Sequence, residues 1–256
     1  MPLAALYDIH GNLPALDAVL AALERLEVER ILIGGDVTYG PFVRETLDRL
    51  LALGDRAVWI RGNADRELVE FLDTGTTRAP LPDDQRRALA WEAGQIGRTH
   101  RDFLAALPHR RTLEVEGLGR VLFCHGSPRS DEEIITRLTS GERLGRVLAG
   151  VEERVVVCGH THVPFDRAVG GVRVVNAGSV GMGYGPPGAS WALIGPGVEL
   201  RHTEYDREHA ATRFRQSGHP LSETFAEDVE RPASAQEAST FFEELALRRE
   251  RDDARP

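Results

Sequence analysis

The chain has 256 residues, 41% of them hydrophobic and 28% charged, which is enough apolar content for one sizeable core. Its net charge of −9 argues against a long duplex as partner, because wrapping a polyanion calls for a basic field. All 31 basic residues are arginine, and the absence of lysine excludes a Walker A loop, Schiff-base chemistry and a Ser–Lys dyad.

In chain order, the first 75 residues alternate strand and helix. Leu3–Tyr7 reads as a buried strand, followed by a helix with Leu13, Leu16, Leu20 and Leu23 on one face. Ile31–Ile33, a helix near Phe42–Leu53, Ala57–Ile60 and a short helix from Asp65 come next. This alternation predicts parallel pairing with right-handed crossovers, and it puts any site outside the carboxyl ends of the strands. Residues 80–107 read as two polar-faced helices forming an insert or cap. Thr112–Val115 and Val121–Cys124 flank Glu116-Gly117-Leu118-Gly119, a hairpin signal. Ser130 and Glu133 have capping-box spacing and predict a short helix. Strands are expected at Val155–Cys158, Val172–Asn176, Ser190–Ile194 and Val198–His202. The tail from Asp206 reads as helical and polar, its last helix capped by Ser234 and Glu237, and Arg248–Pro256 as a fraying charged end. The expectation is one domain over 1–205, with 206–256 as its helical appendage. Apolar runs are strand-sized and no signal peptide is visible, so a cytoplasmic location is expected, with Cys124 and Cys158 as buried reduced thiols.

Five of these strands end in potential ligands: Asp8 and His10, Asp36, Asn63, His125, and His160 with His162. Taken singly, each has an ordinary explanation as a helix cap or turn residue. Together they supply imidazoles and carboxylates suited to divalent transition metals: manganese, iron, zinc or nickel. Two carboxylates neutralise only half the charge of two dications, so the site would attract an anion such as phosphate. Two ions about 3.5–4 Å apart clamp phosphoryl oxygens and bring the pKa of a shared water to about 7, arming it for in-line attack.

The motifs Asp8-Ile-His10, Gly34-Gly-Asp36, Gly62-Asn63-x-Asp65, His125-Gly126 and Gly159-His-Thr-His162 resemble those of the calcineurin-like metallophosphoesterases. Tyr7 to Leu13 and Asn176 to Gly181 are similar to the compact bacterial and archaeal phosphodiesterase branch. The resemblance implies an α/β fold of four layers, two mixed β-sheets face to face with helices outside. It implies that Asp8, His10 and His162 hold one metal, that Asn63, His125 and His160 hold the other, and that Asp36 bridges them, with manganese the favoured ion. Two departures narrow the activity. Ala64 stands where many relatives carry a leaving-group histidine, and Val37-Thr38-Tyr39-Gly40-Pro41 lacks the arginine of protein phosphatases and dinucleoside tetraphosphatases.

The expected function is therefore a dinuclear phosphodiesterase on a small nucleotide or other diester. A phosphomonoesterase, a protein-binding scaffold and a nuclease for short strands are the alternatives, and a homo-oligomer is left open. Retention of all seven ligands speaks against the scaffold. Asp65 is a candidate for orienting a ligand or water, with Asp36, Asn63 and His125, while Asn12 and Arg129 are candidate phosphate contacts. Tyr184 and Trp191 are candidates for a pocket or the core. His100, His109, His202, His209 and His219 fit no ligand pattern.

Overall fold

The computed structural model describes residues 2–253. Strands β1 (Leu3–Leu6), β2 (Arg30–Ile33) and β3 (Ala57–Trp59) pair in parallel, as the alternating helices require. Two antiparallel strands, β9 (Ala189–Ile194) and β10 (Val198–Thr203), complete this sheet in the order β10-β9-β1-β2-β3. The second sheet runs β4 (Arg110–Val115), β5 (Gly119–Cys124), β6 (Val155–Cys158), β8 (Val172–Asn176), β7 (Phe165–Val169). Its β5, β6 and β8 are parallel, while β4 and β7 are antiparallel edges.

The central strands β1 and β6 read as continuous apolar runs because both faces are covered. Along β1, Leu3 and Ala5 face the layer between the sheets, and Ala4 and Leu6 face the outer helices. Val155 and Val157 of β6 likewise point inward, and Val156 and Cys158 outward. Tyr7 ties the sheets together by donating its hydroxyl to the Val157 carbonyl at 3.1 Å. Helices α1 (Leu13–Arg25), α2 (Val43–Leu51), α3 (Asn63–Thr74), α4 (Asp83–Gln95) and α5 (Arg98–Ala105) contribute to the cluster outside the first sheet. A short α6 (Gly141–Val147) packs outside the second, where Cys124 and Cys158 are buried free thiols. The result is the expected four-layer arrangement of two mixed sheets flanked by helices.

The chain ends in α7 (Arg207–Gln216), α8 (Ser222–Glu230) and α9 (Ala235–Asp253). Phe214 and Phe225 of α7 and α8 pack on Tyr39, Phe42 and Met182, covering the strand-end loops. No helix of the described residues is long and apolar enough to cross a membrane.

Three expectations need correction. The segment after Ser130 is bends and a turn, not a helix. Glu133 pairs with Arg129 and accepts from the Ser127 hydroxyl, so it does not return to the Ser130 backbone to close a capping box. The edge strand β7 was not foreseen, because Asp166 and Arg167 interrupt its apolar pattern. Finally, α9 continues to Asp253, and Glu250 is held by Arg143 Nε at 2.6 Å, so the charged end is docked there. The last part of that segment, 254–256, lies outside the described residues. The Ser234–Glu237 cap is present, with each residue bonding the other's backbone N–H.

Candidate metal centre

The predicted ligands converge. The side chains of Asp8, His10 and His162 present ligand atoms within 4.8 Å of one another, and so do those of Asp36, His125 and His160. The groups adjoin: His125 Nε2 is 3.3 Å from Asp36 Oδ2 and 3.7 Å from Asp8 Oδ1. His10 Nε2 lies 3.8 Å from both Asp8 Oδ1 and Asp36 Oδ2.

The backbone explains how ligands so near in sequence reach one centre. Seven non-glycine residues among those described have positive φ, and five are Asp8, His10, Asp36, His160 and His162. Such conformations cost on the order of 1–3 kcal/mol each and persist only where the surroundings enforce them. Asp65 supplies part of that enforcement. Its buried carboxylate accepts the backbone N–H groups of Asp36, Val37, Thr38 and Gly62 and the Thr38 hydroxyl, at 2.9–3.1 Å. Asp65 therefore clamps the Asp36 loop to the start of α3. Gly62 allows that approach, because a Cβ there would lie 2.0 Å from Asp36 Oδ1. Ala64, in turn, donates its backbone N–H to that oxygen at 2.8 Å.

Hydrogen bonds also set the histidine tautomers. A carbonyl can only accept, so Nδ1 of His10, His125 and His162 must donate to Thr38, Gly34 and Met182 respectively, at 3.1, 2.9 and 2.9 Å. In the neutral rings this leaves each Nε2 with a lone pair aimed into the site. The Nε2 atoms of His10 and His162 face each other at 3.2 Å, where two lone pairs repel unless a cation or proton sits between them. Asp8 Oδ1, Asn63 Oδ1 and, in the neutral ring, His125 Nε2 are buried without any hydrogen-bond partner. Buried orphan acceptors of this kind are costly, and a divalent ion coordinated by them removes the cost. The donor set thus fits the metals expected from sequence.

Protonation follows from burial and mutual charge. Burial, followed by the neighbouring His162, lowers the pKa of His10 to about 4, and burial with His125 does the same for His160. His125 goes the other way: burial opposes its charge, yet the Asp36 and Asp8 carboxylates together raise its pKa to about 10. Asp36 is held below the usual carboxylate range, since His125 and His10 together outweigh the burial that opposes ionisation.

The structure sorts the weaker candidates. Asn12 caps α1 through Ala15 N–H and donates to the Gly181 carbonyl and Tyr205 hydroxyl, so its amide is engaged in the scaffold. Arg129 is ion-paired to Glu133 and lines a separate groove with Arg143 and Ala246. Tyr184 stacks on His162, with ring centres 5.7 Å apart, whereas Trp191 is buried in the core and bonds Thr203. His100 is on an outer helix, bonded to Asp48.

Two features escaped the sequence. Glu67, one turn beyond Asn63 on α3, lines the same cavity as Asn63, and burial and then Asp36 push its carboxyl up to about 7. Glu92 of α4 accepts the backbone N–H groups of Tyr39 and Gly40 at 3.0 Å and meets His219 at 3.1 Å, both side chains being buried. The only signal for Glu67 was helical spacing from Asn63. None pointed to the Glu92–His219 contact, which joins residues 127 positions apart.

A mixed two-sheet sandwich with strand-end histidines, aspartates and an asparagine around one centre defines a metallophosphoesterase fold and site. In agreement, residues 1–195 match the calcineurin-like phosphoesterase superfamily domain, and the chain belongs to that superfamily. An uncharacterised protein of Methanocaldococcus jannaschii is 25% identical over 181 residues, 70% of this chain and 69% of that one. Among solved structures, a metallophosphoesterase from Sphaerobacter thermophilus is 25% identical with a TM-score of 0.72, covering 90% of this chain and 99% of the other. A hypothetical protein from Pyrococcus horikoshii shares the fold at a TM-score of 0.77 and 23% identity, covering 89% of this chain and 97% of that protein.

Proposed function

We propose that the chain is a dinuclear metal-dependent phosphohydrolase that prefers small phosphodiesters, with manganese as the favoured metal. Supporting this reading above all is the adjacency of two ligand triads, with the unpartnered Asp8 Oδ1 in one, His125 Nε2 in the other and Asn63 Oδ1 beside them. Asp8, His10 and His162 would hold one ion, and His125, His160 and Asn63 the other, with Asp36 between them. When bound, such a pair supplies Lewis-acid stabilisation of phosphoryl oxygens and an activated water. The protein's own part is positional. Thr38, Gly34 and Met182 carbonyls fix the histidine rings, and Asp65 fixes the loop carrying Asp36. Fixing ligand orientation in this way is typically worth 10–100-fold in metal affinity or activity.

The diester preference rests on what surrounds the site. Ala64 supplies no side-chain acid for a poor leaving group, and the loop after Asp36 brings no arginine to a phosphate dianion. A diester presents a single negative charge and suits that setting better than a monoester. The test is hydrolysis of bis-p-nitrophenyl phosphate against p-nitrophenyl phosphate by manganese-loaded protein. Higher kcat/KM for the diester is expected, and equal values or a monoester preference would remove the diester assignment.

A further inference from the structure

Beside Asn63 and His160 lies a cavity of about 430 Å³, walled by α3, by residues 77–81 and 130–132, and by the end of α9. That volume falls in the range of small-molecule sites, about 300–1,000 Å³. Three arginines line it, and two are already committed. Arg66 is buried and gripped by Asp131 at 2.9 Å, by Glu132 and by Glu70. Arg78 bonds Glu70 at 2.7 Å. Three acids also line the cavity, Glu67, Asp131 and Glu132, and Arg66 lies against all of them, with Glu67 at 4.0 Å.

Arg249 is different. It is exposed, donates Nη1 to the Glu132 carbonyl at 3.2 Å, and makes no ion pair with a carboxylate of the described residues. Its base is nevertheless fixed. The next residue, Glu250, is held by Arg143, and Glu243 two turns earlier accepts the hydroxyls of Thr136 and Thr139. The cavity thus joins two candidate metal ligands to an anchored guanidinium whose remaining N–H groups have no partner among the described side chains. A guanidinium fork with free donors matches the paired oxygens of phosphate or carboxylate.

We propose that Arg249 is the substrate-gripping arginine of this chain, and that the preferred ester carries a second anionic group on the organic part that enters the cavity. The proposal rests on the phosphohydrolase reading and names the substrate class within it. It also explains how a site can lack an arginine after Asp36 and at Arg129: the cation arrives from the opposite end of the chain, on α9.

The test is calorimetric binding of three probes to manganese-loaded protein: thymidine 5′-monophosphate, thymidine 3′,5′-bisphosphate and the 3′-succinyl ester of the monophosphate. The wild type should bind the two probes that carry a second anionic group about tenfold more tightly than the monophosphate, the scale of one charge-assisted hydrogen-bond pair. Arg249→Gln keeps a donor for the Glu132 carbonyl and removes the charge, and it should bring the affinities for all three probes to within about twofold of one another. Arg249→Lys should restore part of the wild-type advantage, and Arg248→Ala, which removes a neighbouring charge on the same helix, should retain all of it. A bisphosphate gain without a succinate gain assigns the subsite to phosphate, and gains for both assign it to anions generally. No advantage in the wild type, or an advantage unchanged in Arg249→Gln, overturns the proposal. Turnover of bis-p-nitrophenyl phosphate is read separately, so its absence would strike the phosphohydrolase reading and not the binding preference.

Discussion

The two halves of the candidate metal centre use the same residue types in different surroundings. The triad of Asp8, His10 and His162 is walled in. Tyr39 packs edge-on against His10, Tyr184 stacks on His162, and the adjoining crevice at Met182 and Asp228 holds only about 50 Å³. The triad of Asp36, His125 and His160 adjoins the 430 Å³ cavity through His160 and Asn63. One half is thus closed over, and the other faces an open space. The asymmetry traces to the covering elements. Helices α7 and α8 press Phe214 and Phe225 onto the closed side, while α9 only flanks the open one.

Removing Asp36 should erase the difference between the halves, because its carboxylate contacts His10 from one triad and His125 from the other. Asp36→Ala is expected to lower turnover at least about a thousandfold, as the loss of several kcal/mol of transition-state stabilisation implies. Wild-type turnover in that variant, with contaminants excluded, would defeat the shared-site account. Asp65→Asn weakens the clamp and leaves every ligand in place. A drop of about 10–100-fold in kcat or metal affinity is expected, measured by manganese titration alongside turnover. Asn63→Ala sharpens the comparison by touching the open half alone. Manganese bound per chain should fall from two toward one, with a rate loss nearer tenfold and little change in melting temperature. If both ions were lost together, the halves would not be separable.

Proton release gives a smaller but direct signal. In the metal-free protein the Asp36 and Asp8 carboxylates keep His125 protonated up to about pH 10. Metal binding needs the neutral ring, so manganese must displace that proton, and its apparent affinity should rise with pH below that value. Adding manganese to weakly buffered protein at pH 7 should acidify the solution; no acidification would mean that His125 carries no proton for the metal to displace. The smallest effect belongs to His100, whose contact with Asp48 lies at the surface. His100→Ala should leave activity unchanged and stability within about 0.5 kcal/mol.

Much of this was legible in the sequence because burial on both faces writes strands as unbroken apolar runs, and parallel pairing then fixes where their ends gather. The seven candidate ligands stood at those ends. What was hidden depended on partners distant in the chain. Ser130 and Glu133 had capping-box spacing, but Arg129 and Ser127 hold Glu133 in a loop. Strand β7 sits at an edge, where Asp166 can pair across to Arg173, so no apolar alternation was needed. Asp65 had the spacing of an ordinary helix cap, and only the folded loop shows its carboxylate gathering four backbone N–H groups. Arg249 looked like part of a solvated charge run until α9 was seen to dock beside Glu132.

Anomalous diffraction at the manganese edge, on crystals grown with the metal, bears most directly on the central claim. The account predicts two peaks about 3.5–4 Å apart, one among Asp8, His10 and His162 and one among Asn63, His125 and His160, with Asp36 reaching both. No peak, or a single peak that persists at saturating manganese, would contradict it.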